Sequence, residues 1–350
     1  MTDAPDLSPK EARDRWLDKL RVSRSDSTVS TYYYRLKLFT EWADSEGIES
    51  INDMTGWQIE SYETYRRSQG IKLVTLNNEL STLKHWFEYL ARIEVIDEDL
   101  PEKVEVPDVP REEQTDDTHL HEDRAKELLS YYRDSPDYAT REHVLLELAW
   151  HTGARAGGLR ALDLRDMRAT DDGTRYLTFV NREETGTRLK KGPDGERPVT
   201  LNSTVWDVLD EYVQTRRIDT DDEYGRQPLI TSSRGRPARS SIRDWLYMAT
   251  LPCQYRECPH DKDPQDCEFT NYQSAGGCPS SRSPHQIITG AITSMRNQGI
   301  PAEVVAERVN KRVSTIEKYY DKETDVQEML KRRDPHFSKF DVTNTGNDES

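Results

Sequence analysis

A chain of 350 residues, 34% hydrophobic and 33% charged, has room for two domains that each bury a core of their own. No apolar run reaches bilayer-spanning length and the opening MTDAPDLSPK lacks a signal-peptide pattern, so a soluble, cytoplasmic protein with no membrane partner is expected. The net charge of −16 argues against broad attraction to a polyanion, yet arginine, the better phosphate fork, outnumbers lysine about two to one. Acids gather in stretches such as Asp97-Glu98-Asp99 and Glu112-Glu113. That composition fits a halophilic, very salty cytosol, where simple charge attraction is screened.

Residues 8–96 read as a helical domain. Ser8-Pro9-Lys10-Glu11 supplies an N-cap with proline in the first turn, and Trp16, Leu17 and Leu20 follow at helical spacing. Ser27-Thr28 is expected to open a second helix with Tyr32, Leu36, Phe39 and Trp42 on one stripe. Two more are predicted over Met54–Arg67 and Val74–Ala91. Residues 97–119 hold three prolines and many acids without periodicity, and read as a linker.

The second domain is expected over 120–333. Helices are predicted over Glu122–Tyr132 and Arg141–Trp150, with Gly153 breaking the second and another starting near Ala154. Tyr176–Val180 and Arg197–Leu201 read as strands joined by a Lys/Gly-rich hairpin, and Asn202-Ser203-Thr204 caps a helix through Val213. The fold class is therefore mainly α with a small antiparallel sheet: a helical domain followed by an α+β domain with a Cys-rich loop at 252–279. Residues 334–350 form a polar tail.

Chemistry-bearing residues recur along this second domain. Thr152-Gly153-Ala154-Arg155 puts an arginine at a helix start, where its guanidinium and backbone amides can face one anion. Lys190-Lys191 lies on the hairpin, Ser283-Pro284-His285 opens a helix, and Lys318-Tyr319-Tyr320-Asp321 follows near the end. A tyrosine hydroxyl, with a pKa near about 10, needs neighbouring cations before it can attack phosphorus.

This order and context resemble the tyrosine recombinases, also called the phage integrase family, from Ser8 to Arg333. The resemblance implies a helical core-binding domain and a catalytic domain that break and rejoin double-stranded DNA. A covalent 3′-phosphotyrosyl link would form, with no catalytic cofactor, within a synaptic tetramer. It makes Arg155 a phosphate clamp, Lys191 the donor to the leaving 5′ oxygen, and His285 a proton-transfer assistant. Lys311 stands where the family usually carries histidine or tryptophan, nine positions before Tyr320. Tyr320, directly before Asp-Lys, is the preferred nucleophile over Tyr319. Two departures stand out. The family's H-x-x-R is here His285-Gln286-Ile287-Ile288, and the acid usually found three positions after the first arginine is Gly158. Losing one preorganised cation costs about 3–4 kcal/mol, or roughly a hundred- to thousand-fold in rate. Arg282, Arg296 and Arg308 are nearby in sequence as substitutes. The alternative is a relative that binds recombination-site DNA without cutting it.

All four cysteines, Cys253, Cys258, Cys267 and Cys278, fall in one polar loop with His260 among them. Clustered cysteines in a cytosolic chain point to structural zinc rather than disulfides, with His260 able to stand in for one thiolate, or else to four unlinked thiols. A metal-dependent nuclease is the third reading, disfavoured because closed thiolate sites leave no position for a catalytic water.

Overall fold

The computed structural model describes residues 5–110, 113, 118–320, 326, 329, 330 and 334, with backbone alone at 319 and 320. The chain divides into two compact units, Met1–Asp116 and Asp117–Ser350. Among the described residues no helix is long and apolar enough to cross a membrane.

The first unit is all helical: α1 (Pro9–Arg21), α2 (Asp26–Ser45), α3 (Gly56–Ser68) and α4 (Leu73–Arg92). At α1 the Ser8 hydroxyl accepts from the Glu11 amide, and the Glu11 carboxylate accepts from the Ser8 amide at 2.9 Å, a reciprocal cap. Helix α2 begins earlier than expected, because Ser25 rather than Ser27 caps it. Phe39 sits among aromatic rings, edge-on to Tyr62 at 5.0 Å and to Trp86 at 5.7 Å. Arg66 forks onto the buried Glu79 at 2.8 and 2.9 Å. Part of the expected linker belongs to this unit. Leu100–Lys103 forms a 3-10 turn, and Leu100 and Val104 bury into the helical core, because their apolar side chains outweigh the surrounding acids.

The second unit opens with α5 (Glu122–Asp134), α6 (Arg141–Thr152) and α7 (Ala156–Ala161). A three-stranded antiparallel sheet follows in the order β1 (Met167–Ala169), β2 (Arg175–Phe179), β3 (Arg197–Thr200). Strand β1 is an addition to the two predicted strands. It pairs Met167 with Leu177, and three residues are too few to show an alternating pattern. Then come α8 (Ser203–Glu211), α9 (Arg239–Ala249), α10 (Pro284–Asn297), α11 (Ala302–Val309) and the short α12 (Val313–Thr315), which runs into a wide turn over Ile316–Tyr320. Gly290 lets α10 lie against the entry to α5: an ideal Cβ there would stand 1.9 Å from the Leu120 carbonyl oxygen. The expected fold class, mainly α with a small antiparallel sheet, is the one observed.

Candidate active site

Two helix ends build the site. Helix α6 stops at Thr152, whose hydroxyl donates to the Leu148 carbonyl at 2.6 Å and accepts from the Ala154 amide at 3.2 Å. Gly153 follows in the left-handed region at φ 61°. Only glycine fits, since an ideal Cβ would lie 2.4 Å from Cγ1 of Val309. The chain then turns so that Arg155 becomes the N-cap of α7. The second end belongs to α11, which closes on Asn310 at φ 51°. The Asn310 amide donates to the Glu307 carbonyl at 3.2 Å and the Lys311 amide to the Ala306 carbonyl at 2.9 Å. Close packing of Gly153 on Val309 sets the two ends side by side.

Asn310 ties three parts of the chain together. Its carbonyl accepts from Nη1 of Arg155 at 3.4 Å, and its Oδ1 accepts from Nζ of Lys191 at 2.9 Å. Its Nδ2 donates to the Asp194 carbonyl at 3.4 Å, so the long β2–β3 connection is held by the same residue. Lys311 comes next and is 7% exposed. Burial pulls its amine down to about 7, and Arg155, Lys190 and Lys191 push the same way. The Lys191 amine is also lowered, first by burial and then by Arg155 and Arg312, against Asp194. Arg155, Lys191 and Lys311 are thus brought together with Lys190 and Arg312, in a protein whose overall charge is negative. Such a focus of positive charge, partly removed from water, is a site for an anion.

Arg197 stands behind this group. Its Nε donates to the Arg308 carbonyl at 2.7 Å, its guanidinium lies 4.4 Å from the centre of the Phe179 ring, and burial followed by Arg155 and Arg308 lowers it to about 10. Gly158 also faces Phe179, 3.6 Å from an ideal Cβ. Where the resemblance leads one to expect an acid supporting Arg155, the described support is the Asn310 carbonyl.

The remaining candidates are placed as follows. His285 is exposed on the first turn of α10, behind the cap formed by Ser283 and Gln286. Ile288, one turn on, is 2% exposed in a cluster with Ile292, Val305, Ala306, Val309 and Ile316. That position is filled by packing. The three arginines nearby in sequence are committed to carbonyl oxygens: Arg282 to His119, Pro279 and Ser281, Arg296 to Ile300, and Arg308 to His151 and Thr200. The backbone of Tyr320 ends the turn begun by the buried Ile316, which packs on α10. Its side chain, like that of Tyr319, lies outside the described residues. Cys253, Cys258, Cys267 and Cys278 line a cavity whose wall includes none of the cations around Asn310. Sequence reasoning missed Asn310 and Arg312. An asparagine after an amphipathic helix is a recognisable left-handed cap, but its bonds to residues 155 and 191 leave no local trace.

Residues 14–94 match the family described as "Phage integrase, N-terminal SAM-like domain". "Tyrosine recombinase XerC 2" of Ralstonia nicotianae is 29% identical over 200 residues, 55% of this chain and 53% of the relative. "Tyrosine recombinase XerD" of Shewanella oneidensis is 28% identical over 156 residues, 44% of this chain and 51% of the relative. The chain thus spans about half the length of these curated relatives. Among solved structures, a Tn1549 transposon integrase in complex with a circular intermediate DNA superposes with a TM-score of 0.64 at 14% identity, covering 89% of this chain and 95% of that one. A lambda integrase dimer bound to a COC′ core site gives 0.58 at 14% identity, covering 99% of each chain. Residues 14–94 thus match a phage integrase N-terminal domain, the chain is similar in sequence to curated tyrosine recombinases, and its fold is that of the solved integrases.

Proposed function

We propose that this protein breaks and rejoins double-stranded DNA at specific sites, with Tyr320 as nucleophile. The observation that carries this reading is the convergence of Arg155, Lys191 and Lys311 around Asn310. The phenol oxygen of Tyr320 attacks phosphorus, a phosphotyrosyl bond forms at the 3′ side, and the bond to the 5′ oxygen breaks. The phenol proton leaves to a base, and the departing 5′ oxygen takes one from Lys191 or Lys311. A free 5′ hydroxyl reverses the step, so no bond energy is lost and neither metal nor nucleotide is consumed. His285 assists proton transfer, the N-terminal helices add contacts to the duplex, and protomers assemble as a tetramer on paired sites in the cytosol. The solved relatives bound to DNA support the partner, through their printed descriptions.

The test is a nicked suicide substrate that traps the covalent adduct. Wild-type protein is expected to form it, Tyr320→Phe to form none while still binding the duplex, and Tyr319→Phe to keep it. Adduct in Tyr320→Phe but not in Tyr319→Phe would reverse the assignment.

The buried Ile288 favours a second reading, a relative that binds sites without cutting them. It wins if no adduct forms with wild-type protein while sequence-specific binding persists.

Asn310 is expected to act as a positioning residue. Asn310→Gly keeps the left-handed backbone but removes the amide that holds Lys191 and the Asp194 carbonyl. Adduct formation should fall about 10- to 100-fold with little change in melting temperature. An equal loss of rate and of folded protein would instead make Asn310 a stability residue only.

A further inference from the structure

Between α9 and α10 the chain makes only three short 3-10 turns, Pro252–Gln254, Glu268–Thr270 and Ala275–Gly277. Its base is closed by Thr250, whose hydroxyl accepts from the Arg282 amide at 2.7 Å and whose carbonyl accepts from Nη2 of Arg124 at 2.6 Å. Beyond the base, Gln254 accepts from the Tyr132 hydroxyl at 3.0 Å and the Tyr272 hydroxyl donates to Glu142 at 3.1 Å, but the loop's own apolar core is small. Leu251, Ala275 and Cys278 are its buried cluster, with Tyr247, Met248, Cys253 and Phe269 packed against them. A core of that size does not offset the backbone entropy of so long a loop.

All four cysteines of the protein lie in this loop, each a free thiol. They line a single cavity together with His260, Lys262 and Phe269. Three of them open tight turns. The Asp261 amide donates to the Cys258 carbonyl at 3.2 Å, that of Thr270 to Cys267 at 3.2 Å, and that of Ser281 to Cys278 at 3.1 Å. Neutral thiols facing one cavity have no strong attraction to each other, and thiolates there repel. A soft divalent cation turns that repulsion into four bonds.

We propose that Cys253, Cys258, Cys267 and Cys278 bind one zinc ion that staples this loop. Each thiol gives up its proton to solvent on binding, so four sulfurs carry four negative charges onto a doubly positive ion. A positive neighbour offsets part of the excess. Lys262 lies 5.3 Å from the centre of the Phe269 ring on the same wall. Among the described residues no three His, Cys, Asp or Glu side chains already stand as a set to hold a metal. Protonated thiols have nothing to gather them to a point, and the ion supplies that force as it binds. The site is structural: all four positions are filled by protein, and the loop it holds leads directly into the Ser283 cap of α10.

The experiment uses the full chain, purified under reducing conditions without chelator. Elemental analysis is expected to find about one zinc per chain. Extraction by a strong chelator should lower the melting temperature, and cobalt(II) added to the reduced, metal-free protein should give intense thiolate charge-transfer bands. Cys267→Ser should lower the bound zinc and weaken those bands. Because that variant can fail to fold, the decisive reading is cobalt on wild-type protein. No thiolate bands at saturating cobalt, with four thiols free to a thiol reagent, would overturn the proposal, as would bound iron with a brown chromophore in place of zinc. The result does not depend on DNA cleavage.

Discussion

Arg155→Ala is expected to slow formation of the covalent adduct by about a hundred- to thousand-fold. The guanidinium is held at a helix N-terminus by the left-handed turn at Gly153 and by the Asn310 carbonyl, so it reaches a phosphate without first being ordered. As Tyr320 attacks, negative charge grows on the phosphoryl oxygens, and a fixed fork of donors then gains more than it does in the ground state. Duplex affinity should therefore change far less than rate. Arg155→Lys should recover only part of the loss, because an ammonium keeps the charge without the planar fork. Single-turnover adduct formation and a separate binding titration check both halves. A loss below tenfold would mean that the scissile phosphate does not sit at this pair of helix ends.

Lys311→Met should give the other large effect, an adduct rate lowered by about a hundredfold or more, together with a change in pH dependence. Burial, then Arg155 and the two hairpin lysines, hold the Lys311 amine at about 7. Near neutrality it therefore sits between donor and acceptor, the poise a proton-transfer group needs. Wild-type cleavage that draws on its proton is expected to fall as pH rises above about 7 in experiments reporting the free protein, and Lys311→Met should flatten that limb. Bound phosphate favours the charged form and moves the limb upward at saturating DNA. Stability should move in the opposite sense to activity. The amine is lower in the folded than in the unfolded chain, so folding releases protons between those two values, and stability climbs as pH rises from about 7 toward the ordinary lysine range. Below about 7 the buried charge carries its full cost. Lys311→Met should therefore raise the melting temperature at pH 6 more than at pH 9. A variant equally destabilised at both would show that Lys311 is held charged by a partner, and would remove it as a group poised between donor and acceptor near neutrality.

Much of the fold was readable from local rules. The Ser8 cap, the aromatic stripe through Phe39 and the buried run REHVLLELAW ending at Gly153 each depend on residues a few positions apart, and each forms as expected. The resemblance brought Arg155, Lys191, His285, Lys311 and Tyr320 forward as a set, on order and spacing. Where two local signals competed, sequence alone could not rank them. Ser25 and Ser27 both suit a helix cap, and Leu100 and Val104 lie among acids that suggested a linker.

The amino-acid sequence by itself determined most of the element types, the break at Gly153, and the clustering of four cysteines in one stretch, because these follow from side-chain shape and neighbours along the chain. Only the tertiary structure decided that Gly153 would pack on Val309, that Ile288 would fill a buried cluster, and that Asn310 would hold both Arg155 and Lys191. The contacts of Gly153 and Asn310 join residues more than a hundred positions apart and the Ile288 cluster joins separate helices, so no local preference encodes them. They exist because burying the apolar sides of α6, α10 and α11 leaves the chain few other ways to place its helix ends.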